Sequence, residues 1–494
     1  EGWHAYLYKV LLSAFLIMGP PLLFLGSIFP FLIKLSEGQG IVAGNTVGQL
    51  AAINTAGAIA GSLLAGFLIL DFMGLWAGIR LMAVVYVMAG WFWLGRSRYY
   101  RSRLAMFPAF SILLLVSVRD TSKLPVVKVD PVNEEESLLE AWEGSAGTVA
   151  VIRRGEDLKV KVNNHYTLGG TGSSELEQLQ GYLPVLLHDN PESVYVLGLG
   201  SGITAGAGLT FPIKKLTVTE LLPEVVRASD KYFGRYTNRL FYDPRVSIIA
   251  EDGRNYLRGT NEYFDVIISD LFVPWKAGVG SLYSLEHYQV VKKRLNEGGL
   301  FMQWLPAYQL SKAEFDIIVR TMLEVFPQVT VWRGDFSALK PIVGLLGHES
   351  LRPLSKKAWI FQQDDSGEER VPLLAHYVGN LESMINQFSN VRLNTDNHPL
   401  IEFQAPVSQR QKKSKKINWL AGEQLISFMQ RVQQYSPYEK DFYLGGLDKK
   451  ALTLPFAGLH LHRAQLLKKQ GRLTAAKKEF ELFQQMKTPV FVRK

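Results

Sequence analysis

The chain opens with long, nearly uninterrupted apolar runs and then changes to short apolar runs separated by polar, helically patterned ones. Val47–Leu70 is 24 residues without a charge, long enough to cross a hydrocarbon core of about 30 Å. Tyr6–Ile33 is a second such run, with Lys9 near one end and a kink expected at Gly19-Pro20-Pro21. Trp76–Leu94 is a third, and Arg80 lies near its end, where a long side chain snorkels to the headgroups. Leu104–Val118, 15 residues with Pro108 inside, is a short fourth candidate. Residues 1–118 are therefore expected to form three or four transmembrane helices, none with the cleavage pattern of a signal peptide. Gly57, Gly61 and Ala65 repeat every fourth residue in the second run, with Asn54 one turn earlier. Small residues at that spacing let helices approach closely, in this chain or against a membrane partner.

The remainder alternates. Residues 119–140 form a polar linker carrying Glu134-Glu135-Glu136, and GTVAVIRR and LKVKVNN flank Gly155-Glu156-Asp157 as a hairpin in a small β subdomain, 141–192. From Ser193 the strands VYVLG, KLTVTE, VSIIA, FDVIISD, GLFMQW, VTVWR and IVGLLGH follow one another, with helices such as Leu282–Leu295 and Lys312–Phe326 between them. Apolar strands alternating with helices predict a mostly parallel sheet covered on both faces, over residues 193–405. The short link between the last two strands predicts one antiparallel edge strand. A basic linker, 406–418, contains SQRQKKSKK, and a helical tail, 419–494, ends in two amphipathic runs joined at Gln470-Gly471-Arg472. That pair resembles one tetratricopeptide-like hairpin, which must pack on the body or a partner to bury its face.

Composition narrows this picture. The 494 residues carry a formal charge of +9 and are 47% hydrophobic, and the length implies several domains. The chain begins at Glu1, so processing or an upstream segment is expected. It has no cysteine, which excludes a disulfide, a thiolate metal site, an iron–sulfur cluster and a cysteine nucleophile within it. No metal site is expected. The basic run lacks interleaved aromatics, so it reads as a solvated linker and not as a nucleic-acid patch. The bilayer is the expected partner, and contact of this run with anionic lipid headgroups is an alternative. Arg96, Arg98, Arg101 and Arg103 crowd one loop, which the positive-inside rule places in the cytoplasm. The soluble part is cytoplasmic if 104–118 stays in the interface and external if it spans. We favour the cytoplasmic side, where nucleoside cofactors are found.

VYVLGLGSGITAGAG places Gly198, Gly200 and Gly202 between a strand and a helix, where the backbone turns tightly and a ligand can come close. Glu220 ends the next strand, and a carboxylate there can accept hydrogen bonds from ribose hydroxyls. Asp252-Gly253 follows the third strand and Asp270 ends the fourth. All four features stand at the carboxyl ends of strands, where open α/β sheets bind ligands. The glycine spacing departs from the dinucleotide G-x-G-x-x-G, so the set suits S-adenosylmethionine or a relative better.

These stretches, with LTVTELLPEVV, DPRVSIIAEDGRNYL, YFDVIISDLF and LYSLEHYQVVKKRLNEGGLFMQW, resemble the successive motifs of spermidine synthases. The match is closest to a membrane-bound bacterial branch with transporter-like helices fused to a spermidine synthase-like domain. PPLLFLGSIFPFL and INTAGAIAGSLLAGFLILDFMGL resemble that branch's membrane segment, and LNTDNHPLIEF its signature late in the domain. The resemblance covers roughly residues 10–95 and 145–405. It implies a seven-stranded methyltransferase-like (Rossmann-like) sheet and an inner-membrane location. It also implies a bound S-adenosyl nucleoside, decarboxylated S-adenosylmethionine or S-adenosylmethionine, and a polyamine partner. Under it Gly198, Gly200 and Gly202 line the ligand, Glu220 holds the ribose, Asp252 contacts the adenine, and Asp270 faces the reacting end.

The departures are as informative. The family carries D-x-x-D-P, whose second aspartate is the proposed base, and here the stretch is Asp270-Leu271-Phe272-Val273-Pro274. Alignment on Leu183-Pro184 puts Leu176 and Gln178 where the family has a tyrosine and a glutamate, with Glu175 and Glu177 as neighbouring substitutes. Val273 can neither take a proton nor attract a cation. Two readings stay open. A non-catalytic binding or scaffold subunit of a membrane complex is slightly favoured, and an active aminopropyltransferase in which Asp270 orients the amine is the alternative. A methyltransferase with another substrate is third.

Overall fold

A computed structural model of the chain describes residues 3–37, 43–96, 111–112, 126–129, 135–144, 146–164, 166–354, 371–411, 419–445, 447 and 449–487. They fall into two compact units, 1–126 with 143–145, and 127–142 with 146–494.

In the first unit the helix Trp3–Glu37 runs unbroken through Pro20, Pro21 and Pro30. A second helical run follows from Ala43–Leu64 through a π turn, Ala65–Ile69, into Leu70–Arg96. Two helices are long and apolar enough to cross a membrane, Ala5–Lys34 and Val47–Phe92, where three or four were expected. The second covers 46 residues, more than one bilayer crossing needs. It is interrupted only at Gly74, whose backbone is non-helical (φ 73°). This break separates the two spans read from the sequence, because no proline or charge cluster lies between them to end the helix outright. A Cβ on Gly57 or Gly61 would meet nothing within 4 Å, so their small-residue face is open among the described residues. Of Leu104–Val118 only Ser111 and Ile112 are described.

The second unit contains two sheets. The first has the order β1 (Glu136–Gly144), β2 (Gly147–Arg154), β3 (Asp157–Val162) and β4 (Tyr166–Gly170). The predicted hairpin is β2–β3, paired from Val149↔Val162 to Arg154↔Asp157 with Gly155 at φ 57°. Its alternate residues Val149, Val151, Val160 and Val162 pack on Val225, Ala228 and Phe233 of the helix Pro223–Phe233. β1 begins inside the span read as linker, because its strand pattern starts directly after the acidic patch.

The large sheet has eight strands, not seven. They are β5 (Ser193–Leu197), β6 (Lys215–Glu220), β7 (Val246–Ala250), β8 (Phe264–Ser269), β9 (Leu295–Pro306), β10 (Gln328–Arg333), β11 (Ile342–His348) and β12 (Tyr377–Asn380), in the order β12-β10-β11-β9-β8-β5-β6-β7. β7, β6, β5, β8 and β9 are mutually parallel. β11 inserts antiparallel between β9 and β10, and β12 pairs antiparallel with β10. Two strands are thus reversed, β11 inside the sheet and β12 at its edge. Two reversals leave β10 pointing the same way as β9, so the carboxyl end of β10 lies on the same side of the sheet as those of β5 to β8. Only four residues make β12, and its sequence, YVGN, is too short to signal a strand alone.

The tail packs on this body. The helices Leu454–Lys469 and Leu473–Lys487 form a hairpin tied by His460 Nδ1 to Glu479 (2.6 Å). Ala457, Leu461 and Phe483 bury against Phe336 and Val371. Gly458 passes so close to the backbone of Ala375 that a Cβ there would lie 1.8 Å from its carbonyl oxygen. The helix Leu400–Gln411 runs through the expected start of the basic linker, and residues 412–418 lie outside the described part.

Candidate functional site

Because the central strands are parallel, the loops that follow them converge on one edge. Gly198, Gly200 and Gly202 all have positive φ (96°, 54° and 81°), which only glycine adopts without strain. Gly198 and Gly200 line a cavity of about 240 Å³ together with Thr219, Glu220, Asp252, Gly253, Asp270 and Lys276. Gly202 does not line it. Its N–H bonds Leu199 O (2.8 Å) and it starts the helix Ile203–Ala207, so it shapes the turn. At Gly253 a Cβ would lie 2.6 Å from Leu197 Cγ and Thr219 Oγ1, so only glycine leaves room there.

Glu220 is buried at the end of β6 and accepts from the backbone N–H groups of Leu199 (3.1 Å), Gly200 (3.5 Å) and Leu222 (3.0 Å). Burial pushes its carboxyl up despite these bonds. Asp252 caps the helix Gly253–Gly259 by accepting from Asn255 N–H (2.9 Å), which makes it both a helix cap and a wall of the cavity.

A second cavity, about 480 Å³, adjoins the first. The two share Leu168 and Asp270-Leu271-Phe272-Val273. Asp270 is half-buried at their junction; desolvation, with Glu177 and Glu220 nearby, pushes its carboxyl up to about 7, while Leu271 N–H and Thr204 oppose the rise. Val273 faces both cavities, so a hydrocarbon lines the spot where the sequence resemblance implied a base.

The second cavity is lined by Asp157, Glu177, Asp270, Asp335, Gln180 and Tyr308, and by Lys159 and Lys340. Of the three expected substrate contacts only Glu177 reaches it. Both of its oxygens are engaged, by Gly170 N–H (3.0 Å), Ser173 Oγ (2.6 Å) and Ser201 Oγ. It ties β4 and its own helix to the glycine loop, and burial pushes its carboxyl up. Glu175 is exposed, and neither it nor Gln178 lines the cavity. The reason is the register of the helix Ser174–Leu187. Gly181 meets Thr204 O so closely (2.1 Å from a built Cβ) that it sets the inward face, and Glu177, Gln180, Gly181 and Pro184 share it by i, i+3, i+4, i+7 spacing. Leu176, at the family's tyrosine position, does line the cavity.

LNTDNHPLIEF gains a structural role. Glu402 accepts from Gly278 (2.7 Å) and Gly280 (3.0 Å) N–H. Asn394 Nδ2 donates to Gly280 O (2.9 Å) and Asp396 pairs with Arg254 (2.6 Å). The motif thereby clamps the 276–282 segment, which walls the nucleoside-sized cavity. Lys276, Gln180 and Asp335 were not anticipated. Lys276 was visible beside SDLFVPW, but no pattern assigns a cavity to it; burial pushes its ammonium down, against the nearby Glu220.

Comparison with known proteins agrees with this geometry. Residues 177–333 match the spermine/spermidine synthase domain model. This stretch matches a spermidine synthase domain. It is 32% identical over 149 residues to a polyamine aminopropyltransferase of Korarchaeum cryptofilum (30% of this chain, 46% of that protein). With the enzyme of the same name from Corynebacterium efficiens it shares 26% over 293 residues (56% and 55%), and with that of Aeropyrum pernix 32% over 191 residues (37% and 59%). The chain spans about half the length of the curated relatives it matches. Among solved structures, a spermidine synthase in complex with the transition state analogue AdoDATO is similar, with TM-score 0.38 and 19% identity over 54% of this chain and 83% of that one. A probable spermidine synthase of Corynebacterium glutamicum aligns with TM-score 0.39 and 17% identity over 52% and 96%.

Proposed function

We propose that the spermidine synthase domain is an aminopropyltransferase that takes decarboxylated S-adenosylmethionine in the smaller cavity and an amine acceptor in the larger one. The observation that carries this reading is the junction. Asp270 is the half-buried carboxylate shared by a nucleoside-sized and an acceptor-sized cavity, and Glu177 and Glu220 stand near enough to raise its proton affinity. A sulfonium carbon presented there meets an incoming amine at the same carboxylate.

The transfer forms a C–N bond as the amine lone pair attacks the carbon next to sulfur. The C–S bond breaks, its electron pair stays on sulfur as methylthioadenosine, and the amine gives up one proton. Glu220 and Asp252 hold the nucleoside, and Asp270 orients the amine and accepts that proton, since a carboxyl titrating near 7 is matched to the task. The apolar helices of the first unit support a membrane tether, with the domain on the cytoplasmic side where its nucleoside is made.

Val273 favours a second reading, a binding or scaffold subunit that retains the nucleoside and transfers nothing. Incubation of the purified protein with decarboxylated S-adenosylmethionine and a panel of amines separates them. Release of methylthioadenosine is expected, with a rise of about a hundredfold in Val273→Asp, the lower end of what one positioned general base supplies. No release from either protein leaves the scaffold reading.

A further inference from the structure

The larger cavity contains a carboxylate that no motif assigns. Asp335 follows β10, and the two strand reversals described above bring that end of β10 to the edge where Asp270 sits. Asp335 and Asp270 line the same cavity, with Ser337, Lys340 and Ile342 beside them. One oxygen of Asp335, Oδ1, accepts from Ser337 N–H (3.3 Å) and Ile342 N–H (3.1 Å). Among the described residues the other oxygen has no hydrogen bond, and no lysine or arginine lies within ion-pair distance, although Lys159 and Lys340 line the same walls. Burial pushes the carboxyl up to about 7. Asp335 is half-buried, and its second oxygen faces the cavity free to take a polar partner that enters it.

The group is also held in place. Phe336, the next residue, meets His376 at a tilt (ring centroids 4.9 Å) and His462 edge-on (6.3 Å), and packs on Ala457, Leu461 and Phe483 of the tail hairpin. Arg333, just before it, donates to Ala375 O (2.9 Å) and Tyr377 O (2.8 Å), and His376 Nδ1 bonds Arg333 O (2.7 Å). A second observation points to a ligand in the same space. The side-chain nitrogen of Gln180, in a residue only 2% exposed, has no hydrogen-bond partner.

We infer that Asp335 is the carboxylate that receives an ammonium group of the acceptor in this cavity, together with Asp270, at a family position where Val273 supplies none. This rests on the reading of the larger cavity as the acceptor site. The ligand class is an alkyl diamine or polyamine, whose cation meets Asp335.

The test is calorimetric titration of the full chain, saturated with methylthioadenosine, with 1,4-diaminobutane and with spermidine. Asp335→Asn is expected to weaken amine binding tenfold or more while leaving methylthioadenosine affinity unchanged, and Asp335→Glu to restore part of it. Equal amine affinity in parent and Asp335→Asn, or no amine binding by the parent, overturns the assignment, as does loss of methylthioadenosine affinity in both variants. If amine binding falls in Asp335→Asn yet the parent releases no methylthioadenosine in the transfer assay, the assignment stands and the transferase reading falls. If transfer occurs and its KM for amine is unmoved by Asp335→Asn, the reverse holds.

Discussion

Asp270 is a carboxyl whose charge the fold controls. Half-buried between two cavities and near Glu177 and Glu220, its carboxyl is pushed by desolvation up to about 7 from its ordinary value near 4. At pH 6 it is mostly neutral and at pH 8 mostly charged, a change of about tenfold in the ionised fraction. A sulfonium nucleoside keeps its positive charge throughout, whereas methylthioadenosine is a neutral thioether there. Affinity for the sulfonium ligand should therefore rise by up to about tenfold between pH 6 and 8, affinity for methylthioadenosine should stay level, and Asp270→Asn should flatten the first curve. Parallel binding curves for the two nucleosides would show that Asp270 does not face the sulfur. Asp270 and Glu220 were legible because each ends an apolar strand. Glu177 was legible only as one of three adjacent polar candidates, since the choice among them depends on which helix face Gly181 turns toward Thr204.

At the scale of elements, the loop after β10 and the C-terminal hairpin work as one assembly. Gly458 allows the helix Leu454–Lys469 to lie against the backbone of Ala375, where a Cβ would sit 1.8 Å from the carbonyl oxygen. Gly458→Ala must push this helix away or distort Leu373–His376. Overpacking of this kind costs about 1–3 kcal/mol, and Phe336 loses its seat with it. The expected result is a lower unfolding midpoint together with a raised KM for amine and unchanged nucleoside affinity. An unchanged KM would show that the hairpin does not support the Asp335 loop. The seven strands read from the sequence all exist, several to the residue, because buried parallel strands make dense β-branched runs. The eighth strand, the interior place of β11 and the loop's role were hidden, because pairing partners are set by tertiary packing and not by local pattern.

For the whole molecule, the site stores opposing pH effects. Asp270 and Asp335 titrate near 7 when folded, and Glu177 and Glu220 are also pushed up. Groups raised above their unfolded values bind protons in the native state, so their contribution is fully present below about pH 4 and lost as pH rises toward about 7. Buried His287, His348, His376 and His462 are pushed down and act the other way, losing stability as pH falls below about 6.5. The carboxyl effect is read by difference. Asp270→Asn should come closest to the parent's unfolding midpoint near pH 4 and exceed it increasingly toward pH 8 without ligand, and a constant difference across that range would contradict a raised Asp270. Saturation with a sulfonium nucleoside should shrink the gap at pH 8, because the ligand's charge stabilises the carboxylate.

The sequence by itself determined the division into apolar helices, a small β subdomain, an alternating α/β domain and a helical tail, since each follows from the period and length of its apolar runs. It also placed Glu220 and Asp270 at strand ends and Val273 beside Pro274, because these are local features. Only the tertiary structure decided that Asp270 joins two cavities, that Glu177 is spent on the glycine loop, and that LNTDNHPLIEF clamps the 276–282 segment. It alone brought Asp335 into the larger cavity with Asp270, because strand order and direction depend on which surfaces bury each other across the whole chain.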